Sequence, residues 1–432
     1  MSTGAPEPSS GPDGSAQPVE PAEPAEPAEP PAPLLHLSEP LPAVVETRAA
    51  LREAVTRLEA GHGPVALDAE RASGYRYSQR AYLVQLRREG TGTVLVDPVA
   101  DADPLEYLSP LAAALSGPEW ILHAASQDLV CLAEVGLRPS RLFDTELAAR
   151  LLGLPRVGLA ALVEDLLGLR LKKEHSAVNW STRPLPQPWL EYAALDVEVL
   201  GSLRDLLSDQ LEQAGKREWA EQEFTALLAF TGPAPRLEPW RRTSGIQRVR
   251  GRRALAAVRE LWLARDDIAA AQDVTPGRVL SDETIVEVAR AMPIGRTAMR
   301  GLPGIRHRQG RRHLDRWVAA VERAAGLPES ELPSVATRHD GPPPARAWGE
   351  RNPAAAGRLA ACRAAVATLS ELHAVPAENL IPPDAVRRLA WTPPQPVSSE
   401  TVRAALVASG ARPWQVDLLA DRLADSLEGI AG

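Results

Sequence analysis

The run Pro64-Val65-Ala66-Leu67-Asp68-Ala69-Glu70 constrains this chain more than any other stretch. Its apolar residues call for a buried strand, and strand side chains alternate between faces with period two. Asp68 and Glu70 therefore leave one side of the strand together, at its end. Carboxylates held that close repel, which costs stability unless a cation joins them. Hard divalent cations such as Mg²⁺ favour oxygen ligands of this kind. The plain alternative is a strand that runs into a polar loop, so a chemical reading rests on acids further along.

Two later stretches supply them. In His123-Ala-Ala-Ser-Gln-Asp128-Leu, Asp128 falls in the first turn of a helix that follows the buried strand Trp120–His123. Open α/β sheets bind ligands at that place; the competing role for Asp128 is to complement the helix dipole. Asp144 stands in the same relation to its own helix, and there the capping role is preferred. In Trp189-Leu-Glu-Tyr192-Ala-Ala-Leu-Asp196, the tyrosine and the aspartate are four apart on a helical pattern and share a face. A phenol beside a carboxylate can orient a water bound to a metal. A half-buried tyrosine on an amphipathic helix is the competing description.

Taken in order, Asp68-x-Glu70, His123-x4-Asp128 and Tyr192-x3-Asp196 resemble the DEDD 3′–5′ exonuclease superfamily, in its tyrosine subclass. Finer text is similar to ribonuclease D over about residues 35–215: Tyr82-Leu-Val-Gln-Leu86, Val94-Leu-Val-Asp-Pro98, Phe143-Asp-Thr145 and Trp180-Ser-Thr-Arg-Pro-Leu185. The resemblance implies a ribonuclease H-like α/β domain, a mixed sheet flanked by helices. It implies that Asp68, Glu70, Asp128 and Asp196 hold two Mg²⁺ or Mn²⁺ ions and that Tyr192 orients the attacking water. Nucleoside 5′-monophosphates would leave one at a time from the 3′ end of RNA, with tRNA precursors the expected substrates. Arg71 departs from the pattern, because relatives carry an apolar or aromatic residue there. His123 is expected to be structural, since Mg²⁺ prefers oxygen. Lys172 and Lys173 sit in a loop with His175 that either meets phosphate or is solvated.

The chain's 432 residues suggest two to four domains. Residues 1–33, with the repeated Glu-Pro-Ala run, are expected to be a disordered tail. An exonuclease domain is expected over 34–232, with candidate strands at 65–69, 81–87, 93–97, 120–123 and 141–143 and a long helix from Pro188 to at least Leu211. Pro233, Pro235 and Pro239 mark a linker. Residues 240–325 resemble an HRDC domain, an all-helical auxiliary RNA-binding module. Within it, Gly301-Leu-Pro-Gly304-Ile is either a phosphate-binding turn or a plain connection between helices. A second linker is expected over 326–350, and a divergent, second HRDC-like helical domain over 351–432. Trp391 and Trp414 are expected in its core.

The net charge of −8 speaks against a nucleic-acid partner only until its distribution is seen. Residues 1–46 hold eight acids and no Lys or Arg, whereas 236–325 hold nineteen arginines against ten acids. A basic block beside an acidic one suits a division into phosphate-binding and metal-binding parts. No apolar run is long enough for a membrane span, no secretory leader is evident, and no protein partner is implied. Cys131 and Cys362 are expected to be buried thiols in a reducing cytoplasm. Two other functions fit the same text: a DNA-directed exonuclease, and a silent RNA-binding protein that has lost the chemistry.

Overall fold

The computed structural model describes residues 32–172, 175, 177–335 and 341–429. The expected tail lies almost wholly outside them, as does Lys173. The first part of the chain forms β1 (Val44–Val45), α1 (Arg48–Ala60), β2 (His62–Arg71), β3 (Ala81–Glu89), β4 (Gly92–Val96), α2 (Pro104–Ala114), β5 (Trp120–Leu122), α3 (Leu129–Glu134), β6 (Leu142–Asp144), α4 (Thr145–Leu151), α5 (Leu159–Leu167), α6 (Gln187–Glu198), α7 (Leu200–Gln213) and α8 (Arg217–Leu228). The strands make one six-stranded mixed sheet in the order β1-β4-β3-β2-β5-β6. β2 is central, antiparallel to β3 and parallel to β5. This is the α/β exonuclease architecture expected above.

Alternation along β2 decides what each residue meets. Val65, Leu67 and Ala69 join the core shared with Leu51 and Leu58 of α1 and Leu108 and Leu111 of α2. Ala66 faces the other way, toward Val197 and Leu200 at the α6–α7 junction. Asp68 and Glu70 continue that second face, beneath α6. The pairing of β2 with β5 covers only Val65 and Ala66. Beyond it the sheet opens, because the chain after β5 turns away at Ala124, whose φ is 57°. The crevice at the carboxyl ends of β2, β5 and β6 follows from that departure.

The expected continuous helix from Pro188 past Leu211 is divided at Val199 into α6 and α7. The two halves bury their apolar stripes in different places: α6 against β2, β3 and β4, α7 against α4, α5 and α8. An unbroken helical period conceals the division, since both stripes are apolar.

The remainder is helical. One group comprises α9 (Arg252–Gln272), α10 (Pro276–Val279), α11 (Asp282–Ala291), α12 (Gly295–Gly301), α13 (Pro303–Arg306), α14 (Arg308–Arg312) and α15 (Leu314–Gly326). The next comprises α16 (Trp348–Arg351), α17 (Pro353–His373), α18 (Ala377–Leu380), α19 (Pro383–Trp391), α20 (Ser399–Ala408) and α21 (Pro413–Glu428). α14 and α15 are separated by a single residue, His313. Within the span expected as a second linker, Trp348 is fully buried, donates to the Pro343 carbonyl at 2.7 Å and packs on Trp391. The phosphate reading of Gly301–Ile305 is not supported. The Gly304 N–H donates to the Glu287 carboxylate at 3.0 Å, and a Cβ at Gly304 would run into Thr284. This glycine permits close packing of α13 on α11.

The two helical groups repeat one arrangement. A 21-residue helix ends on a left-handed residue, φ 47° and ψ 51° at both Asp273 and Ala374. A one-turn helix, an extended residue and a longer helix follow in each. Both groups press this same turn onto the α/β domain. The carbonyls of His373 and Leu151 accept from the Lys216 ammonium at 2.6 and 2.7 Å. Nearby, Trp414 stacks on Trp219 with ring centroids 4.8 Å apart and donates to Glu223 at 3.0 Å. Cys131 and Cys362 are buried free thiols, and Trp414 is in the core as expected.

This packing predicts that Trp414→Ala destabilises the protein by about 3–5 kcal/mol, the usual cost of a large aromatic deleted from a core. Glu223 also loses its buried donor. Denaturant unfolding of the full chain measures it; a loss below about 1 kcal/mol would mean the contact carries little.

Candidate active site

Three elements deliver the acids predicted from sequence. β2 carries Asp68 and Glu70, the turn after β5 leads to Asp128, and α6 carries Tyr192 and Asp196. All five residues line a single cavity of about 630 Å³. One carboxylate oxygen from each of Asp68, Glu70 and Asp196 lies within 4.8 Å of the other two. Asp128 is close enough for its charge to act on Glu70, and Asp68's to act on it in turn. Asp128 occupies the position before α3, yet its side chain makes no capping hydrogen bond there. The dipole-complementing role thus leaves this carboxylate without a local partner, and it turns to the cavity.

Asp144 shows what a true cap does in the same setting. Its carboxylate accepts from the N–H groups of Glu146 and Leu147, as sequence suggested. It also accepts from the N–H groups of Ala124 and Ala125, at 3.1 and 2.8 Å. Those bonds hold the left-handed turn that places Asp128, a role the sequence did not reveal. His123 is structural in its contacts: Nδ1 lies 2.9 Å from the Thr145 hydroxyl, and burial pulls its pKa down to about 4. It is a neutral ring on the cavity wall.

Electrostatics in the cavity run strongly one way. Burial, followed by the charges of Asp68, Asp196 and Asp128, pushes the Glu70 carboxyl up to about 10. Burial also raises Asp68, Asp128 and Asp196, with the Asp68 charge adding to the last two. The Tyr192 hydroxyl works against this at Asp196 by offering its carboxylate a hydrogen bond. Tyr192 itself is raised far above an ordinary phenol, first by burial and then by Asp196 and Glu70. Arg71 is the nearby cation that opposes the rise at Asp68, Glu70 and Asp128. One arginine cannot balance four acids. An all-oxygen donor set that resists ionisation alone fits hard divalent cations, which would let every carboxylate ionise.

Neighbouring contacts fix the walls. Arg183 forms a two-pronged pair with the buried Asp97, at 2.6 and 2.8 Å, and also donates to the carbonyls of Tyr82 and Trp180. This locks the loop before α6 against β3. On the opposite rim, Ser73 and Gly74 line the cavity and lead into a segment clamped by the α9–α10 turn. The Ser78 N–H and Tyr82 hydroxyl donate to Asp273, Arg80 pairs with it at 3.7 Å, and Tyr77 donates to Asp266 at 3.0 Å. Sequence gave no signal for this clamp, because its partners are almost two hundred positions apart. Lys172 lines the cavity, and the His175 ring stands edge-on to Tyr192 at 6.3 Å.

Comparisons with known proteins fit this geometry. A family model described as 3'-5' exonuclease matches residues 42–212, one described as HRDC domain matches 254–321, and one described as 3' to 5' exonuclease C-terminal domain matches 341–427. The chain is 32% identical over 320 residues to ribonuclease D of Gluconacetobacter diazotrophicus, covering 71% of this chain and 78% of that one. It is 34% identical over 312 residues to ribonuclease D of Acidiphilium cryptum, covering 69% and 76%. Among solved structures, a protein from Bifidobacterium adolescentis superposes with a TM-score of 0.85 at 40% identity, covering 92% of this chain and all of that one. Escherichia coli RNase D, described as an exoribonuclease involved in structured RNA processing, superposes with a TM-score of 0.65 at 27% identity, covering 90% and 98%.

The electrostatics predict a pH dependence. With its folded pKa raised from 4.5 to about 10, Glu70 binds more protons folded than unfolded between those values. Its contribution to stability is therefore full below about pH 4.5 and lost as pH rises toward 10. Asp68→Asn removes one of the repelling charges, so in EDTA this variant should melt above the unaltered chain at pH 8, and the gap should close toward pH 4. Mg²⁺ should raise the melting temperature of the unaltered chain more than that of the variant. A gap independent of pH would show that these acids do not share one field.

Proposed function

Because this chain belongs to the ribonuclease D family, we propose that Asp68, Glu70, Asp128 and Asp196 are the metal-binding acids, with Tyr192 the orienting hydroxyl, of its hydrolytic centre. The protein is a 3′–5′ exoribonuclease that acts in RNA processing, and its exonuclease chemistry is metal dependent. The finer reading is that two Mg²⁺ or Mn²⁺ ions serve, and that 3′ ends of tRNA precursors and other structured RNAs are trimmed. The observation that carries it is the meeting of these acids in one cavity at the open end of the sheet.

Each side chain has a definable task. The four carboxylates supply oxygen ligands from three elements that packing holds rigid. Bound divalent cations contribute acidification of water and neutralisation of charge on the phosphate. The Tyr192 hydroxyl, on the face of α6 shared with Asp196, directs the attacking water toward the terminal phosphodiester. In the metal-free protein it keeps its proton, so it acts as a hydrogen-bonding guide. Arg71 and Lys172 are cavity cations that face the substrate's own phosphates. The Arg183–Asp97 pair and the Asp273 clamp keep both walls in place. Among the described residues no helix is long and apolar enough to cross a membrane. We place the protein in the cytoplasm, where its two unpaired buried thiols are at home.

Hydrolysis of 5′-labelled single-stranded RNA, single-stranded DNA and a tRNA precursor, each with Mg²⁺, tests the reading. Stepwise shortening of RNA from the 3′ end is expected, with mononucleotides released; faster turnover of DNA would reassign the substrate. Asp68→Asn and Asp196→Asn should each lower kcat by more than about 100-fold, since loss of a residue merely behind a metal ligand costs about 10–100-fold. RNA binding should persist in both. Tyr192→Phe should lower kcat by about 100-fold, in the range for positioned proton-handling groups, while metal affinity stays within twofold. Full activity in Asp196→Asn would remove that residue from the centre.

A further inference from the structure

One buried polar group behind the cavity has no use in the fold as it stands. The Gln85 side chain, on β3, is completely enclosed, and neither its amide nitrogen nor its amide oxygen has a hydrogen-bond partner among the described residues. An unpaired buried amide costs free energy that an apolar residue of the same shape would not. Native interiors keep few such groups, and each calls for a reason. We propose that Gln85 is the positioning residue for Asp68: its amide N–H donates to the Asp68 carboxylate when divalent cations are bound, and so fixes the oxygen that faces them. This rests on the reading of Asp68 as a metal ligand and deepens it.

Register is the first observation. Gln85 stands directly opposite Asp68 of β2 on one side and Leu95 of β4 on the other. Opposed residues of an antiparallel pair leave the same face of the sheet, with Cβ atoms about 4.5–5.5 Å apart. A glutamine chain is long enough to carry its amide across that gap to an aspartate carboxylate. Gln85 is not on the cavity wall, whereas Asp68 is. The amide therefore stands behind the acid, where it can act on substrate only through Asp68.

The chemistry of the neighbours is the second observation, and it is independent of the first. Along β3 the same face carries Leu83 and Arg87, and α6 covers it with the small residues Ala193 and Ala194. The leucines and alanines offer no side-chain acceptor. Arg87 is a donor, already engaged with Thr93, Ser38 and Glu198. Of the side chains beside Gln85 on its own strand or opposite it in the sheet, Asp68 alone can accept. Asp68 in turn lacks what the other acid of this face has: Asp196 is offered the Tyr192 hydroxyl, while Asp68 receives the Ala69 N–H and no side-chain donor among the described residues. Carboxylates that hold a metal are themselves held by hydrogen bonds from behind. The other end of the amide is also provided for. Trp180 packs on Leu83 and Leu95 in this layer, and its indole N–H, which can only donate, is likewise unpartnered.

The test compares the full-length protein with Gln85→Met, which keeps the unbranched shape and removes the amide, and with Gln85→Leu as a second apolar replacement. Each protein is stripped of metal, and Mn²⁺ binding is measured by titration calorimetry without RNA. Melting is followed in EDTA. The two readouts should move in opposite directions. In EDTA the Met variant should melt at or above the unaltered chain, since an unpaired amide has been removed. Its Mn²⁺ affinity should fall by about 10–100-fold, the usual cost of losing a group that holds a metal ligand. With Mg²⁺, kcat on single-stranded RNA should fall over the same range, while RNA binding in EDTA stays within twofold. In an Asp68→Asn background, Gln85→Met should change Mn²⁺ affinity by less than twofold, because the two act as one unit. Gln85 is a packing residue only, and the proposal is overturned, if both apolar variants bind Mn²⁺ within twofold of the unaltered chain. It is also overturned if the Met variant loses affinity equally with Asp68 and with Asn at position 68. Unchanged Mn²⁺ affinity in Asp68→Asn alone would instead defeat the reading of Asp68 as a ligand, and the proposal with it.

Discussion

Mutual repulsion among four carboxylates in one cavity is the constraint on which the rest of the molecule turns. Left alone, Asp68, Glu70, Asp128 and Asp196 would separate or protonate, and the direction of every shift in the cavity says so. They stay together because each is rooted in something rigid. Asp68 and Glu70 are fixed by the pleat of a strand that stays paired to β3 through both of them. Asp128 is fixed by a left-handed turn that Asp144 holds with two further hydrogen bonds. Asp196 is fixed by a helix whose small residues, Ala193 and Ala194, let it lie close on the sheet. Stability stored in the sheet and helices is drawn on at the centre, a pattern common where function opposes folding.

The helical groups have a structural part in that arrangement. Each presents the turn after its long helix to the α/β domain, but to a different side. Asp273 grips the rim segment that begins at the cavity, so the first group shapes the mouth of the site. The corresponding turn at Ala374 docks behind α4 and α8, where the stack of Trp414 on Trp219 completes a core common to both parts. One repeat thus serves two ends. An aspartate at the left-handed position supplies acceptors to a polar rim, while an alanine there lets a carbonyl press against Gly153.

Much of the candidate site was legible because it obeys short-range rules. Period-two alternation put Asp68 and Glu70 on one side, and a four-residue step put Tyr192 and Asp196 on one face; both survive in the structure. Asp144 was legible as a cap from its place before Thr145. Other features were hidden for stated reasons. The division at Val199 leaves no mark in hydrophobic period, because apolar stripes continue across it. Burial of Trp348 was obscured by prolines and glycine around it that read as linker. Leu372 shares the helical spacing of Leu359, Val366 and Leu369 yet stands 70% exposed, since the packing surface ends before α17 does.

Sequence by itself singled out the candidate site residues, which segments are strand or helix, and where positive charge collects. These follow from local periodicity, side-chain type and counting. Tertiary structure alone decided that four distant acids share one cavity, that Asp128 forgoes its helix while Asp144 serves two turns, and that Asp273 braces a rim from another domain. Those outcomes depend on which surfaces meet across gaps of up to nearly two hundred residues, and no local rule relates residues so far apart.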